Sequence, residues 1–168
     1  MTKKLLLLHL ALVAAAGCAT TAPMPPPVTA QGEDRFLVDP RTGFDAAADE
    51  QTNQRLEAAW RHFLAGQYEQ ARRRLSELRT RTPDYAPAVL LGAAIDLREG
   101  RPDTARNTIN TIADQYSGYT AARVYQAELA LAEGNTRRAW EIYRSLAARP
   151  DAMPAVAQRL QTTERRLF

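Results

Sequence analysis

Apolar residues recur every three or four positions from about residue 52 to residue 153, with polar residues between them. This spacing is typical of α-helices that bury one face. The first helices of successive pairs carry Leu56, Ala59 and Phe63, then Leu90, Ala93 and Leu97, then Val124, Ala127 and Leu131. The second helices carry Leu75 and Leu78, Ile109 and Ile112, and Tyr143 and Leu146. The pattern predicts an all-α domain built from three helix pairs.

The turn inside each helix pair repeats with a constant period of 34 residues. A glycine ends the first helix of each pair, because glycine adopts the left-handed backbone that closes a helix at low cost. An alanine follows five positions later, where two helices must approach closely. The residues that define the repeat are Gly66, Ala71, Gly100, Ala105, Gly134 and Ala139.

A 34-residue period of two helices is the signature of tetratricopeptide repeats, and the sequence resembles that family over about residues 52–153. The resemblance implies a right-handed α-solenoid of three repeats. These repeats span about residues 52–85, 86–119 and 120–153. The family's opening tryptophan is absent, since Arg55, Val89 and Arg123 stand at that position. First helices rotated relative to the family standard are therefore expected.

Two segments flank the repeats and complete a domain over residues 45–168. A repeat array needs a terminal helix with one polar face, because its last apolar face would otherwise remain in water. Residues 154–168 are predicted to be that capping helix, with Pro154 at its start. At the other end, residues 45–51 are expected to begin the first helix early, with Asp45 as the N-cap.

The first 17 residues have the layout of a secretory signal peptide. Lys3 and Lys4 precede an apolar run from Leu5 to Ala16. A helix of this length is too short to cross the hydrocarbon core of a bilayer, which is about 30 Å thick. The sequence therefore predicts a cleaved targeting segment rather than a transmembrane helix.

The residues at the end of this segment, Ala15, Ala16, Gly17 and Cys18, resemble the lipobox of bacterial lipoproteins, although leucine is commoner at the position of Ala15. The resemblance implies cleavage after Gly17 and attachment of acyl chains, such as palmitate, to Cys18. Two or three acyl chains hold a protein stably on a bilayer, whereas one chain does not. Because alanine follows the cysteine, the resemblance favours the outer membrane, with the domain facing the periplasm. The alternative is an ordinary secretory signal followed by an unrelated cysteine.

Residues 18–44 connect the signal segment to the helical domain. Residues 19–32 contain four prolines and few bulky apolar side chains, so they are predicted to be a disordered tether. Residues 36–38 are apolar, and residues 39–43 carry the turn signal Asp-Pro-Arg-Thr-Gly. Residues 33–44 are predicted to form either a short strap, whose Phe36, Leu37 and Phe44 pack on the domain, or a docking peptide for a partner.

Charge and composition argue against several functions. Residues 52–168 hold 18 arginines against 13 acidic residues, and a net charge of +5 is too small for a nucleic-acid footprint. The chain has one cysteine, and His62 is the only histidine after the signal segment. No motif for a nucleophile, a phosphate loop or a metal site is present. We expect no catalytic residue, no metal, no cofactor and no small-molecule substrate.

Two carboxylates in the first helices, Asp96 and Glu128, are the residues on which an enzyme such as a cell-wall hydrolase would depend. Isolated carboxylates do not make an acid–base pair unless they lie close together. We expect them to pair instead with arginines of neighbouring repeats. The candidate arginines are Arg61, Arg98 and Arg123.

The candidates for partner binding are aromatic, apolar and arginine side chains. In the tetratricopeptide repeat family the first helices line the concave face, and Tyr and Trp dominate binding hot spots. The apolar candidates are Trp60, Phe63, Leu64, Leu90, Leu97 and Tyr125, for which a core role is the alternative. The arginine candidates are Arg72, Arg73 and Arg74, which otherwise form a solvated helix face. The resemblance implies that binding of a peptide carboxylate would need lysine and asparagine in the groove, and no lysine follows the signal segment. A groove for an apolar peptide or helix is therefore expected.

Together these patterns favour a lipid-anchored scaffold or adaptor that binds a protein partner in an envelope assembly. Secretin and pilus assembly, or outer-membrane β-barrel assembly, are the nearest analogies, and they rest on fold class alone. One alternative is a constitutive accessory subunit of a large membrane complex. Another is a protein that binds peptidoglycan or peptides through its arginine cluster.

Overall fold

The computed structural model describes residues 36–168. These residues form seven α-helices, namely α1 (Glu50–Leu64), α2 (Tyr68–Arg79), α3 (Ala86–Arg98), α4 (Pro102–Gln115), α5 (Thr120–Ala132), α6 (Thr136–Ala147) and α7 (Pro154–Leu167). The predicted signal peptide, the lipobox with Cys18 and the proline-rich tether lie outside the described residues.

The helices pack as three consecutive antiparallel pairs, α1 with α2, α3 with α4 and α5 with α6. The odd-numbered helices also contact one another, α1 with α3 and α3 with α5, while α7 packs on α6. Each pair buries its apolar stripe against the next pair, so one continuous core runs the length of the array. The all-α solenoid predicted from the apolar pattern is confirmed.

The glycines of the 34-residue period close the first helix of each pair, and the alanines lie where the two helices pack. Gly66, Gly100 and Gly134 have φ of 72°, 76° and 77°. This is the left-handed backbone conformation, which residues other than glycine adopt only at a cost. Ala71, Ala105 and Ala139 are completely buried. A larger side chain at these alanines would separate two packed helices, which explains why small residues recur there.

Helix α1 begins later than its sequence suggests. It starts at Glu50, and its N-cap is Asp49, whose side chain accepts hydrogen bonds from Thr52 N at 2.9 Å and Thr52 Oγ1 at 2.7 Å. The expected cap, Asp45, is exposed and precedes the helix, so the first helix does begin within residues 45–51, but at Glu50 and not directly after Asp45. Asp49 and Thr52 stand at the spacing of a cap and its N3 residue, and this local pairing sets the helix start.

A buried ion pair attaches the terminal helix α7 to the array. Arg159 of α7 donates two hydrogen bonds to Glu128 of α5, Nε to Oε1 at 2.7 Å and Nη2 to Oε2 at 2.8 Å. Tyr143 of α6 donates its hydroxyl to the same carboxylate at 2.5 Å. Three helices therefore meet at one buried carboxylate, which fixes how α7 sits on α5 and α6.

Candidate functional site

Residues 36–44, termed the strap, cross the face formed by the odd-numbered helices. Its first residue, Phe36, lies against Tyr143, with ring centroids 6.4 Å apart. The Val38 carbonyl accepts a hydrogen bond from the Tyr125 hydroxyl at 2.8 Å, and the Pro40 carbonyl accepts one from the Tyr119 hydroxyl. The strap thus binds the third repeat through its own backbone.

The second half of the strap turns at the start of α5. The Thr42 carbonyl accepts a hydrogen bond from the Ala121 amide at 3.0 Å. Gly43 has a φ of 74°, and a Cβ built there would lie 2.6 Å from Thr120 Oγ1. Only glycine satisfies both the backbone conformation and this close approach. The sequence turn signal therefore serves to bring the strap onto the helix.

An aromatic cluster and an ion pair hold the end of the strap. Phe44 contacts the rings of Tyr85, Tyr116 and Tyr119, with centroid distances of 5.9, 5.4 and 5.0 Å. Arg41 pairs with Asp39 within the strap and with Glu57 of α1. The strap therefore links the third repeat, through Tyr119 and Tyr125, to the first repeat.

The tyrosine donors beneath the strap are shielded from water. Burial raises the pKa of Tyr119, and it raises the pKa of Tyr125 well above the ordinary value of 10.0. Both hydroxyls therefore stay protonated and act as donors, and each needs an acceptor because an unpaired buried hydroxyl is costly. The strap carbonyls supply those acceptors. Of the two sequence hypotheses for these residues, the structure shows the strap.

Most of the apolar residues predicted to bind a partner lie in the core instead. Trp60, Phe63, Leu90, Leu97 and Tyr125 are buried, and Leu64 is half-buried. Trp60 is 8% exposed and stacks on Phe63, with centroids 5.1 Å apart. Neighbouring helices cover Trp60 and Phe63, and the strap covers Tyr125. The sequence hypothesis is therefore corrected for the four core residues other than Tyr125, which are not a docking surface in this structure, whereas Tyr125 binds the strap.

The three consecutive arginines on α2 have different environments. Arg72 is half-buried and bonds Asp96 at 2.7 Å and Glu99 at 2.6 Å, which ties the first repeat to the second. Arg73 and Arg74 are exposed, and Arg74 makes a long contact of 3.4 Å with Glu77. A groove of about 400 Å³ between α2 and α3 includes Arg72 and Arg79 in its lining. Arg73 and Arg74, unlike Arg72, face solvent and remain candidates for partner binding.

The two carboxylates considered for catalysis are both engaged by guanidinium groups. Asp96 bonds Arg72 and Arg101, and Glu128 bonds Arg159, so their partners are not the ones that the sequence suggested. Burial alone would raise the pKa of Asp96, but the hydrogen bonds from Arg101 and Arg72 lower it overall. Asp96 is thus an ionised partner in an ion-pair network rather than a general acid.

Other chemistry-bearing groups in residues 36–168 have structural surroundings. His62 shares a hydrogen bond of 2.7 Å with Gln67, across the α1–α2 turn. No group of His, Cys, Asp and Glu side chains in this part of the chain is arranged to hold a metal ion. The helices described are also too short or too polar to cross a bilayer.

Of the tyrosines that hold the strap, Tyr125 was a sequence candidate for binding, whereas Tyr85, Tyr116 and Tyr119 were missed. Tyr85 and Tyr119 are separated by 34 residues, so they occupy the same position of successive repeats, immediately before α3 and α5. That periodicity is a sequence signal that the two tyrosines have the same role in successive repeats. What it could not reveal is that both side chains face a segment preceding the first repeat.

The geometry above defines an all-α repeat scaffold whose odd-numbered helices carry a bound peptide segment. The sequence model of the Tetratricopeptide repeat family matches residues 62–127, which run from the end of α1 into α5. Over these residues the chain is similar to tetratricopeptide repeats, arrays of which present extended surfaces for binding other proteins. No significant match was found to a curated protein or to a solved structure.

Proposed function

We propose that the protein is a lipid-anchored adaptor that holds a protein partner within an envelope assembly. The observation that carries the proposal is a tetratricopeptide repeat array placed after a lipobox-like sequence that ends at Cys18. Acylation of Cys18 would fix the array at a membrane surface, which the alanine after the cysteine suggests is the outer membrane, facing the periplasm. An array of this type supplies binding surface rather than catalysis.

The anchor is tested by replacing its attachment residue. We expect Cys18→Ser to abolish incorporation of labelled palmitate and to move the protein from the membrane fraction to the soluble fraction, since no acyl chain would remain. Thr21→Ser is the matched control and should leave labelling and fractionation unchanged. A Cys18→Ser protein that still sediments with outer membranes would contradict the anchor.

The adaptor role is tested by crosslinking in intact envelopes, followed by purification of the protein. We expect one partner to be recovered repeatedly with wild type and to be lost or reduced with Cys18→Ser, because release from the membrane separates the two proteins. Rapid degradation of the protein when that partner is deleted would favour the constitutive accessory subunit instead. Recovery of no partner across several crosslinker lengths would contradict both.

A second candidate function, binding of an anionic envelope polymer such as peptidoglycan, rests on the exposed arginines of the first repeat. Arg73 and Arg79 are exposed, and no ion pair to either is found within residues 36–168. Binding through such groups weakens as salt increases. The double variant Arg73→Glu with Arg79→Glu should then lose sedimentation with purified sacculi at low salt. The control pair Arg165→Glu with Arg166→Glu on α7 should retain it.

A further inference from the structure

We propose that the strap is an exchangeable ligand, and that the surface beneath it is a binding site for proline-containing peptides that form a turn as the strap does. This inference deepens the proposed adaptor function, because it names the surface that the adaptor would use and the chemistry of its partner. The described structure would then show the site occupied by the chain's own residues 36–44.

The contacts beneath the strap are those of a peptide site. The Tyr125 and Tyr119 hydroxyls and the Ala121 amide bond three alternate backbone carbonyls, those of Val38, Pro40 and Thr42. Main-chain carbonyls are present in any peptide, so these donors recognise the turned backbone of residues 38–42 rather than its sequence. A replacement peptide must supply the same acceptors, because the buried hydroxyls cannot remain unpaired at low cost.

Side chains of the strap indicate which peptides would be selected. Leu37 is buried, at 7% exposure, so the site takes an apolar residue near its start. Pro40 is also buried, and Gly43 leaves no room for a Cβ. Phe44 enters the tyrosine cluster, and Arg41 reaches Glu57. The expected partner peptide therefore carries an apolar residue, a proline, a basic residue, a glycine and an aromatic residue in that order.

The attachment of the strap permits exchange. It contains no helix or strand, and residues 45–49 that join it to α1 are exposed apart from the half-buried Ala48. A ligand on a short flexible connection has an effective concentration on the order of 1 mM. A free peptide at micromolar concentration therefore competes poorly with the intact strap, and removing the connection after folding should let it bind.

The test uses the full chain, purified in detergent, with a specific protease site inserted between Ala46 and Ala47, and a fluorescent peptide with the sequence of residues 36–46. After cleavage of the folded protein, we expect the labelled peptide to bind at least about tenfold more tightly than before cleavage. A peptide in which Leu37 is replaced by alanine should bind much more weakly. Unchanged affinity after complete cleavage would overturn the proposal.

A second pair of measurements avoids the inserted site and uses one substitution with opposite expected effects. Gly43→Ala in the protein should loosen the strap and increase binding of the wild-type peptide, because the new Cβ would lie 2.6 Å from Thr120 Oγ1. The same substitution in the peptide should abolish its binding to the Gly43→Ala protein. Gly66→Ala is the control, since Gly66 has a similar φ of 72° but nothing within 4 Å of a Cβ.

The outcomes separate this inference from the proposed function. Peptide binding that fails in both formats overturns the exchangeable strap and leaves it a permanent part of the fold, whatever the envelope crosslinking shows. Equal effects of Gly43→Ala and Gly66→Ala on peptide binding would also overturn it. Conversely, loss of the membrane anchor or of an envelope partner would not alter a peptide site measured on purified protein.

Discussion

At the scale of single residues, Glu128 is the carboxylate most completely removed from water in the described part of the chain. Its side chain is completely buried, and Arg159, Tyr143 and the surrounding apolar residues leave it no water. A buried ion pair offsets its desolvation only when its geometry is good, and this one is bidentate with a third donor. The pair therefore matters more for fixing α7 than for net stability.

Removal of one partner of the Glu128–Arg159 pair should destabilise the fold far more than removal of both. Arg159→Ala should lower the free energy of unfolding by about 3–5 kcal/mol, because it leaves Glu128 buried and without a counter-charge. Adding Glu128→Leu and Tyr143→Phe should restore much of that loss. Urea unfolding measures both, with the exposed Glu141→Ala as a control that should change little. A loss from Arg159→Ala no larger than that control would contradict this account.

The buried tyrosines predict sensitivity to alkaline pH. The pKa values of Tyr119, Tyr125 and Tyr143 are raised in the folded protein by burial, whereas in the unfolded chain each phenol ionises near its ordinary value of 10.0. The folded state therefore keeps protons that the unfolded state releases above pH 10. Below pH 10 the ionisation of these tyrosines does not change the free energy of unfolding. Above pH 10 each of them should lower it by roughly 1.4 kcal/mol per pH unit.

This pH dependence is checked by urea unfolding between pH 9 and 11.5. The double variant Tyr119→Phe with Tyr125→Phe should lose at least about half of the wild-type slope above pH 10, because only Tyr143 and Tyr85, whose pKa is also raised by burial, would remain. Stability is expected to be lower in the variant at pH 8, where the strap carbonyls lose their donors. A variant slope equal to that of wild type would show that these phenols do not control the transition.

At the scale of elements, the start of α1 depends on a single side chain. Asp49 accepts hydrogen bonds from the amide and hydroxyl of Thr52, and these bonds lower its pKa below the ordinary 3.8. The cap is therefore present above about pH 4 and is lost as the pH falls through the lowered pKa. We expect Asp49→Ala to speed amide exchange at Thr52 and Asn53 by about tenfold.

The matched control for this cap is Asp45→Ala. Asp45 has the residue type of a cap but lies outside the helix, so its replacement should leave exchange at Thr52 unchanged. The difference between wild type and Asp49→Ala should also disappear at low pH, where Asp49 is protonated. Equal exchange in the two variants at neutral pH would contradict the assignment of the cap.

The sequence predicts the elements well because their cause is local. A 34-residue period, a glycine that closes each first helix and apolar residues at helical spacing all act within one or two turns. The site could not be predicted in the same way, because the strap contacts are distant in the chain. Val38 and Tyr125 are 87 residues apart, and Pro40 and Tyr119 are 79 apart. A single sequence shows which residues are apolar, but not which neighbour covers them.

At the scale of the whole molecule, the strap joins ends that the array itself does not connect. In a solenoid each repeat contacts only its neighbours, so the first and third repeats are coupled only through the second. The strap bonds Tyr125 in the third repeat and Glu57 in the first, which adds a direct connection. We therefore expect the array to unfold as one cooperative unit.

Two tryptophans report on this cooperativity, since Trp60 lies in the first repeat and Trp140 in the third. In the Trp140→Phe variant the fluorescence reports on Trp60, and in the Trp60→Phe variant it reports on Trp140. The normalised urea unfolding curves of the two variants should coincide. Adding Gly43→Ala should separate the two unfolding curves, because it weakens the connection that the strap makes between the first and third repeats. Adding Gly100→Ala, which strains the middle repeat without touching the strap, should keep them together. Separated transitions with the strap intact would contradict the coupling.

The position of Phe36 also determines how the domain would respond to tension. Although the strap precedes α1 in sequence, it begins beside Tyr143 in the third repeat. Under the proposed anchor at Cys18, a pull from the membrane would therefore reach the strap carbonyls first and α1 only after the strap had detached. Mechanical strain between the membrane and a bound assembly would then expose the surface beneath the strap, so that attachment and partner capture become parts of one force-dependent event.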